Sequence, residues 1–238
     1  MPGSILIYVP TVRLFGRALQ SIMRLQWPGK VDVVFARGGD ATEAMSKQGK
    51  FKVVTAKYNH GRDMLLAGDY DAIATIEDDM IVPPDALIKL WDTGADIAYG
   101  LYCWRHQGFH KWSAYTEIGD RHGVALSDDP EAAKAAWGSV IEVQGIGNGC
   151  TLIRRHVLEA MPFRKHRKAC CDWGLAYDAQ RRGYRQACDL SVVCGHMAID
   201  NEQHKGFPIV YGQWGPPRII WPDPDLDNTG KLYRVEYL

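Results

Sequence analysis

The sequence predicts an α/β fold: a single domain with a central, mainly parallel or mixed sheet flanked by helices. Three observations carry that prediction. Short apolar runs alternate with helical candidates through the first hundred residues, the order that builds a layered sheet. The 238 residues, 46% of them hydrophobic, suffice for one large core. The run from Ala72 to Ile76 has the length and apolar content of an interior strand and stops at three consecutive acids, Glu77, Asp78 and Asp79. Ligands of open α/β sheets bind outside such strand ends.

Element by element, residues 5–9 read as the opening strand. Residues 14–26 read as a helix with Leu14, Phe15, Ala18, Leu19 and Ile22 on one apolar face. Residues 31–36, 51–55 and 72–76 continue the strand series. Pro83 and Pro84 turn the chain into a short helix at 85–91, and 96–102 supply another strand. From 104 to 129 the periodicity is lost and Gly, His, Trp and charged residues collect, which predicts a long functional loop. Residues 130–137 form a short helix. Strands at 140–143 and 150–153 then flank the glycine-rich 145–149, and helices follow at 155–161 and 172–182, the second closed by Gly183. Residues 186–193 read as a final strand, and the Pro- and aromatic-rich chain beyond His196 predicts an extended tail over 201–238.

Composition excludes several classes. The 28 basic residues balance the 28 acidic ones, so the overall field does not favour a broad phosphate-backbone binder. No apolar run approaches the roughly 18–20 residues of a membrane span, and the N-terminus lacks a signal-peptide pattern; the expectation is a soluble, cytoplasmic protein. Six cysteines without a secretory signal are expected to be thiols. Cys170, Cys171, Cys188, Cys194 and His196 raise zinc, but adjacent Cys170 and Cys171 cannot form the knuckle that sets two sulfurs on one turn. The glycines at 145, 147 and 149 lack the GxGxxG spacing of a dinucleotide fingerprint.

Crowded carboxylates repel one another unless a cation or solvent relieves them, so Glu77, Asp78 and Asp79 read either as a solvated acidic turn or as a cation site. Further motifs accompany them: the strand and loop from Ile5 to Arg13, the helical segment from Asn59 to Asp63, the stretch from Gly147 to Arg155, Asp172 with Trp173 opening a helix, and the strand end from Val192 to His196. In this order and spacing, residues 4–197 resemble the GT-A class of nucleotide-sugar glycosyltransferases, the small family-two-like and phage-type members in particular.

The resemblance implies a metal-dependent transfer of a sugar from a nucleoside diphosphate sugar, with UDP-glucose as the default donor, to a hydroxyl acceptor. Mn2+ is the implied ion, with Mg2+ as the alternative. Glu77 and Asp79 correspond to the first and last acids of the DxD motif. Asp79 is the direct ligand, Asp78 faces sugar or ribose, and His196 matches a distant second metal ligand. Pro10, Thr11 and Arg13 lie where the class places its nucleobase pocket. Asp40 would accept hydrogen bonds from uracil or ribose, and Arg62 would reach the nucleotide from the helix before the acids. Relatives often show Ala-Arg-Asn where this chain has Gly61, Arg62 and Asp63. Gly149 lets backbone approach the donor sugar, and Trp173, ahead of Trp104 and Trp112, would stack on a sugar or base.

Asp172 stands where relatives carry the acceptor-activating base of an inverting mechanism. The residue before it is Cys171, where relatives carry Glu, so the stereochemistry stays open. Each of these residues has an ordinary alternative: a capped helix start at 10–13, a helix cap at Asp40 or Asp172, a surface ion pair at Arg62, packing for the tryptophans.

The resemblance divides the chain into a catalytic unit at 1–200, with a nucleotide half to 103 and an acceptor half beyond, and the tail. Acceptors in view are a glycan, a lipid-linked sugar, a small molecule, or a hydroxymethylated base in phage DNA, the last placing the protein in a host cytoplasm. For DNA, Arg105, His106, His110, Lys111, Arg121 and His122 with residues 164–168 offer a local basic rim. Two other classes stand beside this reading. A nucleotidyltransferase usually carries a Gly-rich basic loop after its first strand, where this chain has Pro10 and Thr11; a non-catalytic nucleotide-sugar binder would bind UDP without turnover.

Overall fold

The computed structural model describes residues 3–11, 15–37, 47–104, 110–119, 122–166, 170–198, 218–225 and 231–238. The chain begins β1 (Ile5–Thr11), α1 (Gly16–Ile22), β2 (Val31–Arg37), α2 (Lys47–Ala67) and β3 (Ala72–Ile76). After the acidic turn come β4 (Met80–Ile81), α3 (Ala86–Asp92), β5 (Ile97–Leu101), the hairpin β6 (Tyr115–Ile118) and β7 (Gly123–Ala125), and α4 (Pro130–Ala136). The remaining elements are β8 (Val140–Glu142), β9 (Cys150–Arg154), α5 (Arg155–Ala160), α6 (Cys171–Arg181), β10 (Gln186–Val193), β11 (Gly195–Ala198), β12 (Arg218–Pro222) and β13 (Tyr233–Tyr237).

Seven strands form the main sheet in the order β2-β1-β3-β9-β5-β10-β8. β2, β1, β3, β5 and β10 run one way, while β9 and β8 run against their neighbours. Every residue of β1, β3 and β5 is buried, as expected of interior strands covered on both faces. The reversed β9 is what builds the site: its register sets Cys150 opposite Ile76, so the turn at 147–149 lies beside the acids that end β3.

A second, antiparallel sheet runs β13-β12-β11-β4. Its first strand leaves the acidic turn directly, and His196 of β11 pairs with Met80 of β4. The described part of the predicted tail thus forms two strands of this sheet.

The predicted strand at 51–55 is a correction: these residues lie inside α2. The β-branched run Val53, Val54 and Thr55 suggests a strand locally. Over the longer window the more buried positions recur at Phe51, Val54, Tyr58, Gly61 and Leu65, a helical repeat, and tertiary packing overrides a weak local preference. At Gly61 a Cβ would lie 2.8 Å from the Tyr8 ring, so the missing side chain lets α2 settle on β1. The predicted helix at 14–26 is likewise shorter, because the chain turns at Met23 and Arg24 and the Gln26 N–H donates to the Pro84 carbonyl at 2.8 Å. The predicted loop at 104–129 contains the β6–β7 hairpin, which hangs on the main domain where the Tyr115 N–H donates to the Gly145 carbonyl.

The six cysteines are free thiols, all but Cys170 buried. Burial pushes the Cys103 and Cys188 thiols up, so they act as small apolar side chains. No helix among the described residues is long and apolar enough to cross a membrane.

Candidate active site

The acids end β3 and are held from three sides: the turn before β9, α2 and β11. The Glu77 N–H donates to the Gly149 carbonyl at 3.0 Å, and the Tyr58 hydroxyl of α2 donates to the Glu77 carboxylate at 3.0 Å. Asp78 and Asp79 are only 9% and 7% exposed. Carboxylates so removed from water need compensating charge. The Asp79 carbonyl accepts from the Met197 N–H of β11 at 2.9 Å, which fixes the turn against the second sheet.

Because His196 pairs with Met80, its ring arrives beside Asp79, with Nε2 3.8 Å from Oδ1. Its Nδ1 lies 2.7 Å from the Cys103 carbonyl. A carbonyl only accepts, so Nδ1 carries a proton, and in the neutral ring Nε2 keeps its lone pair on the side of the carboxylate. The Tyr102 ring meets the imidazole edge-on at 5.4 Å and holds its plane. A carboxylate oxygen and an imidazole lone pair converging in a buried corner fit a divalent ion that accepts mixed oxygen and nitrogen ligands, as Mn2+ does.

On the nucleotide side, Pro10 and Thr11 end β1 and are buried. The Thr11 hydroxyl donates to the Val9 carbonyl, so its side chain is committed to the backbone. Lys57 was not singled out by the sequence. Its ammonium donates to the Thr11 carbonyl at 2.9 Å; burial lowers its pKa and the charge of Asp78 offsets part of that. Reading α2 as a helix is the signal that exposes it, since Lys57 then sits directly before Tyr58, the residue of this helix that bonds the acids. Arg62, expected to reach the nucleotide, donates from its Nε to the Leu158 carbonyl at 2.7 Å, which ties α2 to α5, and its Nη1 lies 3.5 Å from Asp63. It sits one helical turn farther from the acids than Tyr58. Arg13 and Asp40 lie outside the described residues.

The second half of the site is a cavity of about 60 Å3 lined by Tyr102, Trp104, Tyr115, Gly147, Asp172 and Trp173 with apolar neighbours. Asp172 sits in the first turn of α6, where its Oδ1 accepts from the Trp173 N–H at 2.7 Å. Burial raises its pKa above the usual carboxylate range, and backbone hydrogen bonds only partly oppose this. The Trp173 indole donates to the Gly119 carbonyl and meets Tyr115 edge-on at 5.5 Å, so the β6–β7 hairpin braces it. Trp104 packs on the other side of Tyr115 at 5.8 Å. Trp112 is elsewhere, fully buried with its indole donating to the Leu232 carbonyl, and serves packing. At Gly149 a Cβ would fall 3.0 Å from the Tyr102 ring. The close approach this glycine permits is therefore taken by Tyr102.

The structure thus brings together Glu77, Asp78, Asp79, His196, Gly149 and, through Tyr102 and Gly147, Asp172 and Trp173. Of the described cations in the predicted basic rim, Lys111 is paired with Asp128 and Arg164 with Asp178.

No protein-family model matches the chain, and no curated protein matches it. Solved structures do. A197 from STIV matches at a TM-score of 0.54 and 18% identity, over 81% of this chain and 85% of that one. GalNAc-T7, solved with UDP, GalNAc and Mn2+, matches at a TM-score of 0.56 and 8% identity, over 82% of this chain and 43% of that one. With its mixed seven-stranded sheet, and acids at the end of its third strand, the chain has the GT-A glycosyltransferase fold.

Proposed function

We propose that this protein is a divalent-metal-dependent glycosyltransferase that moves a sugar from a UDP-sugar, with UDP-glucose as the reference donor, to a hydroxyl acceptor. The observation that carries this reading is the meeting of Asp79 and His196 at the strand end, with the imidazole oriented by the Cys103 carbonyl. GalNAc-T7, which shares the fold, was solved with UDP, GalNAc and Mn2+, and these ligand classes are the ones carried over.

In this reading Asp79 and His196 hold the cation, with Glu77 braced by Tyr58 and Asp78 facing sugar or ribose. When bound, the cation supplies positive charge against the departing diphosphate. Pro10 and Thr11 floor the nucleobase side, and Lys57 places a second positive charge between that side and Asp78. Asp172 removes the acceptor proton. Its burial makes the carboxylate a stronger base than a solvated aspartate, and Trp104, Tyr115 and Trp173 give it walls suited to a sugar face. The cavity holds only a few waters as it stands, so substrate binding must widen it. Residues 1–103 then form the nucleotide half and 104–200 the acceptor half.

The test is to incubate the protein and Mn2+ with a panel of UDP-sugars and follow UDP release with glycans, small hydroxyl compounds or a duplex bearing hydroxymethylated bases. Release that needs the metal and is stimulated by one acceptor class is the expected result. Full turnover in chelator, pyrophosphate release from UTP and a sugar phosphate, or tight UDP binding without turnover of any donor would overturn it.

A further inference from the structure

The turn between β8 and β9 holds a polar group that none of these roles uses. Asn148 is 2% exposed, and among the described residues neither its Oδ1 nor its Nδ2 has a hydrogen-bond partner. A side-chain amide can accept two hydrogen bonds and donate two. Burying it with none of them made forfeits its hydration for nothing, and such groups are rare in folded proteins. Folding gives no reason to keep an amide here, because an apolar side chain of the same shape would be the more stable choice.

Its position suggests what would satisfy it. On one side the Gly149 carbonyl accepts from the Glu77 N–H, one residue from the metal-facing acids. On the other, Gly147 lines the cavity, and a Cβ there would lie 3.3 Å from Asp172 Oδ2. Asn148 therefore belongs to a turn whose two glycines border the acids read as the metal site on one side and the group read as the base on the other, and a transferred sugar held between those groups would lie against this turn. Both neighbours are glycines, so no sequence-adjacent side chain stands between the amide and a ligand at this turn. A planar amide with a donor and an acceptor side by side matches two neighbouring hydroxyls, accepting from one and donating to the other. A phosphate would use only its N–H groups.

We propose that Asn148 is a specificity-determining residue for the donor, binding a vicinal pair of hydroxyls on the transferred sugar. This rests on the reading of the site as a UDP-sugar site. The same logic explains its cost: a polar group kept unsatisfied in the free protein becomes paired only in the donor complex.

The experiment uses Asn148→Leu, close in shape to asparagine, with Asn148→Ala as a second variant should the first fold poorly. The ligand-free Leu variant is expected to melt about 2–6 °C above wild type, since a buried unmet amide is removed. Calorimetry in Mn2+ should give UDP affinity within about twofold of wild type. Affinity for the preferred UDP-sugar should fall about 10-fold to 100-fold in both variants, and the preference between UDP-glucose and UDP-galactose should collapse. A lower melting temperature in both variants, or an unchanged preference between the two epimers, would overturn the assignment while leaving the UDP site standing. A wild-type protein that binds no UDP would overturn the functional reading and this assignment with it.

Discussion

Asp172→Asn separates chemistry from structure at the position proposed as the base. Asparagine keeps the Oδ1 that accepts from the Trp173 N–H, so a hydrogen bond worth about 1 kcal/mol survives and α6 should start as before. What is lost is the proton acceptor. Removing a general base typically lowers the rate about 100-fold to 10,000-fold, or about 3–5 kcal/mol of barrier. Stability should move the other way. Burial raises the folded pKa of this carboxyl, so the fold disfavours its charged form. Below the ordinary carboxylate range the group is protonated in both folded and unfolded chains and the variant gains nothing. Its advantage opens as pH rises through the ordinary carboxylate pKa of the unfolded chain and is complete above the raised folded one. The assay pairs transfer rate against pH with denaturation at acid and neutral pH. Wild type should lose activity on the acid side at a pH above that of an ordinary aspartate, and the variant should show a low, flat rate there with donor binding intact. A variant that transfers at the wild-type rate over that range, or that is less stable than wild type at neutral pH, would refute the assignment.

The metal pair predicts that Asp79→Ala and His196→Ala weaken Mn2+-dependent donor binding by more than about 100-fold, the upper range for outer-shell changes. Asp78→Asn should cost less than either, and titration calorimetry with and without chelator checks both. Lys57→Met should weaken UDP binding about 10-fold to 100-fold, the worth of one charged hydrogen bond, and lower the melting temperature as well, because the Thr11 carbonyl loses its donor. Arg62→Ala should leave UDP affinity unchanged and lower stability by about 1–3 kcal/mol, because the Leu158 carbonyl loses its charged donor; urea denaturation beside calorimetry distinguishes the two effects.

The sequence by itself determined the layered α/β class and the run of acids that ends β3. Both are written in short windows: a buried run from Ala72 to Ile76, three acids after it, glycines at 147 and 149, a helix opening at Asp172. Burial on both faces leaves an unbroken apolar strand, and a strand that stops at carboxylates stops where water or an ion begins, so such boundaries need no knowledge of distant residues. Where a short window misled, at Val53 to Thr55, local β-branched composition competed with a helical repeat that only the longer span reveals, and Lys57 was hidden with it. The tertiary structure alone decided which ends meet. Nothing near Asp79 in the chain indicates that β11 will pair with β4, that the Cys103 carbonyl will choose the protonated nitrogen of His196, or that Arg62 will face Leu158 rather than the acids. Those outcomes depend on strand register and on the directions in which helices pack, which are set by burying the whole core at once; the residues of the candidate site contribute little to that choice.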